Sequence, residues 1–413
     1  MEKERRMLLL GGTNSAYEIK QYADAHNITL IATGKYPDTL LKRISAESYD
    51  VDAVDADGLV GLIKDKHIDA IFTGCNEDVI PFALEAAVRT GLPHYCDFEQ
   101  WDICMNKAKF KELCINNGVP TAKRYDLDRL DEIPDYPVAV KPADSCGSQG
   151  FSVCKNAKEV ITAAENAVKF SRTRTVIIEE YMPYDAVIIH YTLINGEVYF
   201  TGMSDKTSRR LGEGGSSVMA LQLFPSRHIK SYMDSLNDKV VAMFKSIGMH
   251  DGAVWIEAFA EGGRFWFNEM GYRFGGSMTY HPVRYFYGVD QLELMIRYAL
   301  DGCIKDVPEV APQKVDKNYC ILPLHVEACT IKEVIGEEEI TSMPEVYAYV
   351  PIHGRGDTVK KTGTVSQVFC YLHVLYDDMD GLKATLKSIL NKLKVLDAEG
   401  RNRLFCLTDI DAV

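Results

Sequence analysis

Glu257 and Glu269 stand in a stretch that is otherwise apolar. They lie in two strand-like runs, Val254–Phe259 and Phe265–Met270, on either side of Glu261-Gly262-Gly263, a turn signal. With Gly262–Arg264 as a three-residue loop, Glu261 pairs with Phe265, and counting outward sets Glu257 opposite Glu269. Their Cβ atoms are then expected roughly 5 Å apart on one face. Facing carboxylates repel unless a cation lies between them. Oxygen ligands converging from two strands suit Mg²⁺ carried with a nucleotide's phosphates. A slip of one residue would put the two on opposite faces. The competing reading is a solvated acidic face, which Trp255, Phe265, Trp266 and Phe267 argue against.

Further residues suit anion chemistry. In Lys141-Pro142-Ala143-Asp144-Ser145-Cys146-Gly147-Ser148-Gln149-Gly150 a lysine ends a strand and a Ser/Gly loop follows. Glycines let backbone N–H groups turn toward an anion, and a nearby ammonium neutralises it. A plain β-turn is the alternative. Arg273 follows Glu269 by four residues and precedes Phe274-Gly275-Gly276-Ser277. Beside a metal, such an arginine can stabilise charge on a transferred phosphoryl group; by itself it also suits a surface ion pair. Lys107, Lys109 and Lys111 open a basic helix, a pattern that usually marks a solvated face. Lys206, Arg209 and Arg210 precede Gly212-Glu213-Gly214-Gly215. That segment reads as a flexible loop able to close over an anion, or as an ordinary surface loop.

The elements that must carry these residues are legible in outline. Met7–Leu10, Ile28–Thr33 and Ile68–Thr73 read as strands, with helical patterns between them and Asp78–Thr90 as a helix closed by Gly91. Strand–helix–strand units imply a parallel sheet whose ligands gather at strand C-termini, where Gly11-Gly12-Thr13-Asn14 and Thr73-Gly74-Cys75-Asn76-Glu77 fall. The middle third reads as α+β: strands at Pro137–Lys141 and Thr175–Tyr181, a hairpin around Asn195-Gly196, and one long helix over Ile229–Ile247. Beyond about Ala311 come further strands and a helix near Gly381–Lys394.

The chain has 413 residues, a formal charge of −13 and eleven cysteines. This length predicts two or three domains. The acidic balance argues against nucleic-acid coating. No apolar run approaches a membrane span, and Met7–Leu10 is too short for a signal-peptide core. The scattered cysteines, without a C-x-x-C pair, read as reduced thiols in a cytoplasmic protein. No Walker motif, dinucleotide glycine fingerprint, H-E-x-x-H or G-x-S-x-G is present.

Taken in order, the motifs resemble the ATP-grasp superfamily. The branch is that of biotin carboxylase, the carbamoyl-phosphate synthase large chain and the purine-pathway glycinamide ligases. The resemblance rests on a Gly-rich first turn, Asn106-Lys107, and a helix ending Asn117-Gly118-Val119-Pro120. It continues through Lys141 with its loop, Val176-Ile177-Ile178-Glu179-Glu180-Tyr181-Met182, and Ile256-Glu257 … Asn268-Glu269-Met270-Gly271-Tyr272-Arg273-Phe274-Gly275-Gly276.

It implies an α/β plus α+β protein: a parallel-sheet pre-ATP-grasp domain at 1–98, a two-lobed ATP-grasp domain at 99–311 with a lid lobe near 120–185, and a C-terminal α+β domain at 312–413. It implies an ATP- and Mg²⁺- (or Mn²⁺-) dependent carboxylate–amine or carboxylate–thiol ligase. The alternative is an ATP-binding module with reduced catalysis. Lys107 and Lys141 are expected on ATP phosphates, and Ser145, Gly147, Ser148 and Gly150 in the covering loop. Glu179, Glu180, Tyr181 and Met182 are expected at the adenine hinge, with Asp185 near the ribose. Glu257 and Glu269 are expected to hold the metal. Arg273 and Lys206 are the expected catalytic cations, and Glu77, Gly275 and Gly276 lie toward the acceptor. The partners implied are small-molecule carboxylates and amines, with no nucleic acid or membrane; a homodimer is left open. Gly271 stands where the family usually has an asparagine, and Ala186 where it usually has a glutamate.

Overall fold

A computed structural model describes residues 4–11, 14–36, 39–145, 149–212 and 215–413. Strands β1 (Arg5–Leu10), β2 (Ile28–Thr33), β3 (Glu47–Tyr49) and β4 (Ala70–Phe72) form a parallel sheet in the order β3-β2-β1-β4. Met7, Leu8, Leu9 and Leu10 are all fully buried, as a parallel strand covered on both faces requires. The alternation splits them between two cores. Met7 and Leu9 pack with Ile19 and Ile296, whereas Leu8 and Leu10 pack with Leu59, Ile63 and Ala87. Helices α1 (Ala16–Ala25), α2 (Leu40–Ile44), α3 (Ala56–Asp65) and α4 (Ile80–Thr90) connect or flank these strands. Helix α4 ends at Gly91, whose φ of +73° only glycine adopts without strain. Gly12 and Thr13 of the first turn lie outside the described residues.

Helices α5 (Phe98–Met105) and α6 (Lys107–Asn116) lead into the middle of the chain. Asn106 joins them; its side chain accepts from the N–H groups of Ala108 and Lys109 and so starts α6. A small antiparallel sheet follows, built from β5 (Arg124–Tyr125), β6 (Val138–Pro142), β7 (Ser152–Cys154) and β8 (Val176–Glu180) in the order β5-β8-β6-β7. Helix α7 (Ala157–Ala167) covers one face, setting Val160 and Ala164 against Val138, Val140 and Ile178.

The largest sheet has nine strands among the described residues. Its order begins β13-β12-β9-β10-β11-β14, with β9 (Asp185–Ile194), β10 (Glu197–Arg210), β11 (Ser217–Phe224), β12 (Gly252–Glu261), β13 (Arg264–Gly271) and β14 (Asn318–Val326). Val368–Tyr376 and Val346–Pro351 extend it, and Leu404–Phe405 pairs with β14. Hydrogen bonding therefore passes without a break from strands before residue 311 to strands after it.

Two expectations about elements need correction. The helix expected over Ile229–Ile247 is two helices, α8 (Ile229–Ser235) and α9 (Asn237–Ser246). Ser235 donates back to the Ser231 carbonyl, and Leu236 leaves helical geometry at φ −130°. The basic segment Lys206–Arg210, expected as a loop, is the end of β10 and pairs with β11. Glu213 and Gly214 of the following glycine run lie outside the described residues. Among the described residues no helix is long and apolar enough to cross a membrane, and the ten described cysteines are free thiols.

Candidate active site

The β12–β13 hairpin sets the centre of the site. Its loop is two residues long, Gly262-Gly263, not three, and Glu261 pairs with Arg264 rather than Phe265. Both glycines have positive φ, +54° and +77°, which a tight two-residue turn demands. With that turn, unbroken pairing would put Glu257 opposite Asn268. A β-bulge corrects the count: Ala258 pairs with Phe267, and Glu257 with Glu269. Asn268 is the extra residue. The bulge brings two neighbours, Asn268 and Glu269, into the cavity that also receives Glu257. Glu257 thus faces Glu269 as expected, by a different route.

That cavity, of about 730 Å³, lies between the small sheet and the large one. The structure brings many of the expected residues to it: Lys107, Lys141, Ser145, Glu180, Tyr181 and Met182 among them. Lys206, Glu257, Glu269 and Asp185 line it as well. Asp185 is ion-paired with Arg227 at an exposed position. Gly150 is not in the lining; it has φ +74°, and a Cβ there would lie 2.9 Å from Pro142 Cγ. Gly147 and Ser148 lie outside the described residues.

The charges are arranged as partners. Lys107 Nζ meets Glu269 at 2.8 Å and donates to the Ser145 carbonyl at 2.8 Å. Lys206 is paired with Glu257. Asn268 donates to Glu257 Oε1 at 2.9 Å and accepts from Lys141 Nζ at 2.6 Å. Lys141 also meets Glu179 Oε1 at 2.5 Å, and Lys111 meets Glu179 Oε2 at 2.7 Å. A continuous chain runs Lys111–Glu179–Lys141–Asn268–Glu257–Lys206.

One reading changes here, and another is filled in. Glu179, expected at the adenine hinge, lines the cavity and is a buried carboxylate clamped between two lysines, with its backbone in a strand paired on both sides. Lys111, expected on a solvated face, is fully buried, and Lys107 is nearly so; of the three helix lysines, Lys109 faces water. The missed signal was spacing. Lys107 and Lys111 are four apart and share a helix face.

Burial and charge pull against each other in this group. Burial disfavours the Lys107 ammonium, but Glu269 beside it, with Glu77 and Glu257, lifts its pKa above the ordinary lysine value. Burial likewise opposes the Lys206 charge, and Glu257 outweighs it. Burial raises Glu269, yet Lys107, Lys206 and Lys141 together hold it well below the usual carboxylate range. Lys111 goes the other way: burial, helped by Lys141, lowers it to about 8 against the pull of Glu179.

A second cavity, of about 590 Å³, shares Lys107, Ser145, Gln149 and Glu269 with the first. Arg273 and Glu77 line it. Arg273 donates twice to one oxygen of Glu77, from Nε at 3.0 Å and from a terminal nitrogen. Its guanidinium lies 5.3 Å from the centre of the Trp255 ring. Trp255 also explains Gly271. The two are paired across the hairpin, and a Cβ at 271 would collide with the indole. Gly275 and Gly276 line neither cavity; Gly275 N–H donates to Thr279, and the Gly276 carbonyl accepts from Asn14. His281 is buried beside Glu18 and against His373, a packed position rather than a cavity wall.

Comparison with known proteins is consistent with this geometry. The family model described as D-ala D-ala ligase C-terminus matches residues 102–201. The biotin carboxylase domain of Hydrogenobacter thermophilus 2-oxoglutarate carboxylase, solved with MgADP and bicarbonate, superposes with a TM-score of 0.78 at 17% identity. The match covers 95% of this chain and 90% of that one. The chain has the ATP-grasp fold. An L-amino acid ligase from Bacillus licheniformis shares the ATP-grasp fold with a TM-score of 0.74 at 17% identity, over 96% of this chain and all of that one. By sequence, the formate-dependent phosphoribosylglycinamide formyltransferase of Wolinella succinogenes is 27% identical over 204 residues, 46% of this chain. The chain spans about half the length, 51%, of that curated relative.

Proposed function

We propose that this chain is an ATP- and Mg²⁺-dependent ligase that joins a carboxylate to an amine or a thiol through an acyl phosphate. The observation that carries the reading is the meeting of Lys107, Lys141 and Lys206 with Glu257 and Glu269 around one cavity. Residues 1–98, 99–311 and 312–413 would be its three units, with 120–185 as the nucleotide lid, acting on small molecules in the cytoplasm.

The donor set fits the metal. Glu257 and Glu269 face each other with the Asn268 amide between Glu257 and Lys141. Two carboxylates suit Mg²⁺, which commonly completes its shell with water and phosphate oxygens; Mn²⁺ takes the same hard donors. When bound, the metal supplies positive charge against the nucleotide phosphates. Glu269 is paired with Lys107 and Glu257 with Lys206. Glu257 and Glu269 would hold the metal and the lysines would neutralise the phosphates, so that no charge would be left buried alone. Glu180, Tyr181 and Met182 would border the adenine, with Asp185 toward the ribose. Glu179 holds Lys141 in place.

A carboxylate oxygen of the substrate attacks the γ-phosphorus, and the bond to the bridging oxygen breaks with its electron pair leaving on ADP. The nitrogen or sulfur nucleophile then attacks the acyl carbon. The C–O bond to phosphate breaks, phosphate leaves with that pair, and the nucleophile's proton passes to solvent. Arg273, which lines the second cavity together with Glu269, would neutralise the acceptor carboxylate and the transferring group. Gly275 and Gly276 would support it through backbone.

A second reading, a nucleotide-binding module without turnover, draws on the packing of Trp255 over Gly271, which leaves no room for a metal-binding side chain there. Calorimetry with Mg-ATP, run beside an ADP-release screen over carboxylates and amines, separates the two. Turnover that depends on both partners and collapses in Glu269→Gln supports the ligase. Tight Mg-ATP binding with no ADP from any pair supports the module.

A further inference from the structure

The second cavity has chemistry of its own. Five carboxylates line it, Glu77, Asp78, Asp102, Asp144 and Glu269, against three cations, Lys107, Arg172 and Arg273. Each cation already faces a carboxylate: Lys107 faces Glu269, Arg172 faces Asp78 at 3.0 Å, and Arg273 faces Glu77. A phosphorylated substrate would bring two more negative charges, and no cation of its own, to a wall where carboxylates outnumber cations five to three. A zwitterion, which carries both signs, upsets that balance less.

Apolar and aromatic side chains, Pro81, Trp101, Met105, Phe170, Trp255 and Met270, line the cavity as well, beside the polar Asn106, Ser145, Gln149 and Thr173. Two ion pairs, Lys107 with Glu269 and Arg273 with Glu77, set both signs side by side on its lining. Both contacts from Arg273 fall on Oε2 of Glu77. No hydrogen bond engages Oε1 among the described residues, so that oxygen can accept from a ligand. A ligand carrying an anionic and a cationic group on adjacent atoms would match this edge. Lys107 and Arg273 suit its carboxylate, and Glu77 suits its ammonium group.

We infer that the second cavity takes a free amino acid with an apolar or aromatic side chain as the carboxylate substrate. The inference rests on the ligase reading above. The α-carboxylate lies on the side of Lys107 and Glu269, where the two cavities join. The α-ammonium meets Glu77, and the side chain lies along Trp101, Met105 and Met270. At about 590 Å³ the cavity exceeds one amino acid, so the amine nucleophile can enter beside it.

The test uses the full chain with Mg-ATP and an ADP-release readout. Leucine, methionine and phenylalanine are each offered with an amine nucleophile. They are compared with 4-methylpentanoate, 4-(methylthio)butanoate and 3-phenylpropanoate, which lack the amino group, and with formate plus phosphoribosylglycinamide. The amino acids are expected to exceed their deamino analogues by at least about tenfold in kcat/KM, because an unfilled carboxylate partner is costly. Equal turnover with the deamino acids, or turnover confined to formate with the phosphorylated amine, overturns the inference while leaving the ligase reading intact. ADP release with none of them overturns the inference, and the ligase reading falls with it only when the wider screen of carboxylates and amines also yields no ADP although Mg-ATP binds.

Glu77→Gln supplies a second measurement. It is expected to raise KM for the amino acid about tenfold or more, leave KM for ATP within about twofold, and erase the preference over the deamino analogue. An unchanged preference in a variant with the parent's melting temperature overturns the assignment of Glu77.

Discussion

Glu257 stands opposite Glu269 across the β12–β13 hairpin because β13 carries one extra residue, Asn268, that offsets a turn one residue shorter than simple counting suggests. The bulge does more than restore the register. It brings the Asn268 amide into the cavity beside Glu269, where it links Glu257 to Lys141. A flat hairpin would place adjacent residues on opposite faces.

Asn268→Leu tests that link. The substitution leaves Glu257 and Lys141 each short of a hydrogen bond in a confined site. Bonds to charged groups are worth about 1.5–3 kcal/mol. The KM for ATP should rise roughly 10- to 100-fold on that basis, with a smaller fall in kcat, as read by steady-state ADP release. Unchanged ATP affinity by calorimetry would remove Asn268 from the site.

Gly271→Asn should fail to add a metal ligand. Any Cβ at 271 meets the Trp255 indole, so the indole must move or the strand must shift. Overpacking of this kind costs about 1–3 kcal/mol, a loss readable by thermal unfolding. Removing the obstacle in Gly271→Asn with Trp255→Ala should recover part of that loss relative to Gly271→Asn, and should tighten Mg²⁺ dependence. A single variant as stable as the parent would show that Trp255 does not hold the position closed.

Lys111→Met bears on stability against pH. The folded-state pKa of Lys111 is lowered to about 8, below its ordinary 10.5, because burial disfavours its charge. Between those values the unfolded chain binds more protons than the folded one, so Lys111 makes stability rise with pH through that window. Below about 8 both states are protonated and the full burial cost is present. The parent should therefore gain on Lys111→Met as pH is raised from 8 to 10, as followed by melting temperature. Glu179 keeps Lys141 in the variant, so ATP binding should weaken only several-fold. A parent–variant difference that is flat over this range would contradict the buried, shifted lysine.

Glu179 and Glu269 govern the acid side. Burial raises each carboxyl, but lysines outweigh it: Lys141 and Lys111 for Glu179, and Lys107, Lys206 and Lys141 for Glu269. Both folded-state values lie below the ordinary 4.5. Their stabilisation is therefore complete above that value and is lost as pH falls through the folded-state range. The ligand-free protein should lose melting temperature steadily from pH 5 to pH 3. Glu179→Gln should start lower, because two lysines then lack their shared partner, and should fall less steeply over the same interval. An equally steep fall in the variant would assign the acid sensitivity elsewhere.

The sequence by itself determined the parallel first sheet, the order of the motifs and the facing of Glu257 and Glu269 across one hairpin. Each of these is local. Apolar runs such as Met7–Leu10 report burial on both faces, and Gly262-Gly263 between apolar strands reports a hairpin. Tertiary structure decided which charge meets which. Lys111 and Glu179 are 68 residues apart in the chain yet pair in the interior, and although the four-residue spacing from Lys107 marks a shared helix face for Lys111, nothing local names Glu179 as its partner. The segment Lys206–Arg210 reads as a loop because a glycine run follows its charges, and it is a strand because β11 lies alongside and Glu257 receives Lys206. The reason is general. Periodicity along the chain records which side chains avoid water, whereas Coulomb interactions act through space. Partners brought together by topology leave no mark in the spacing.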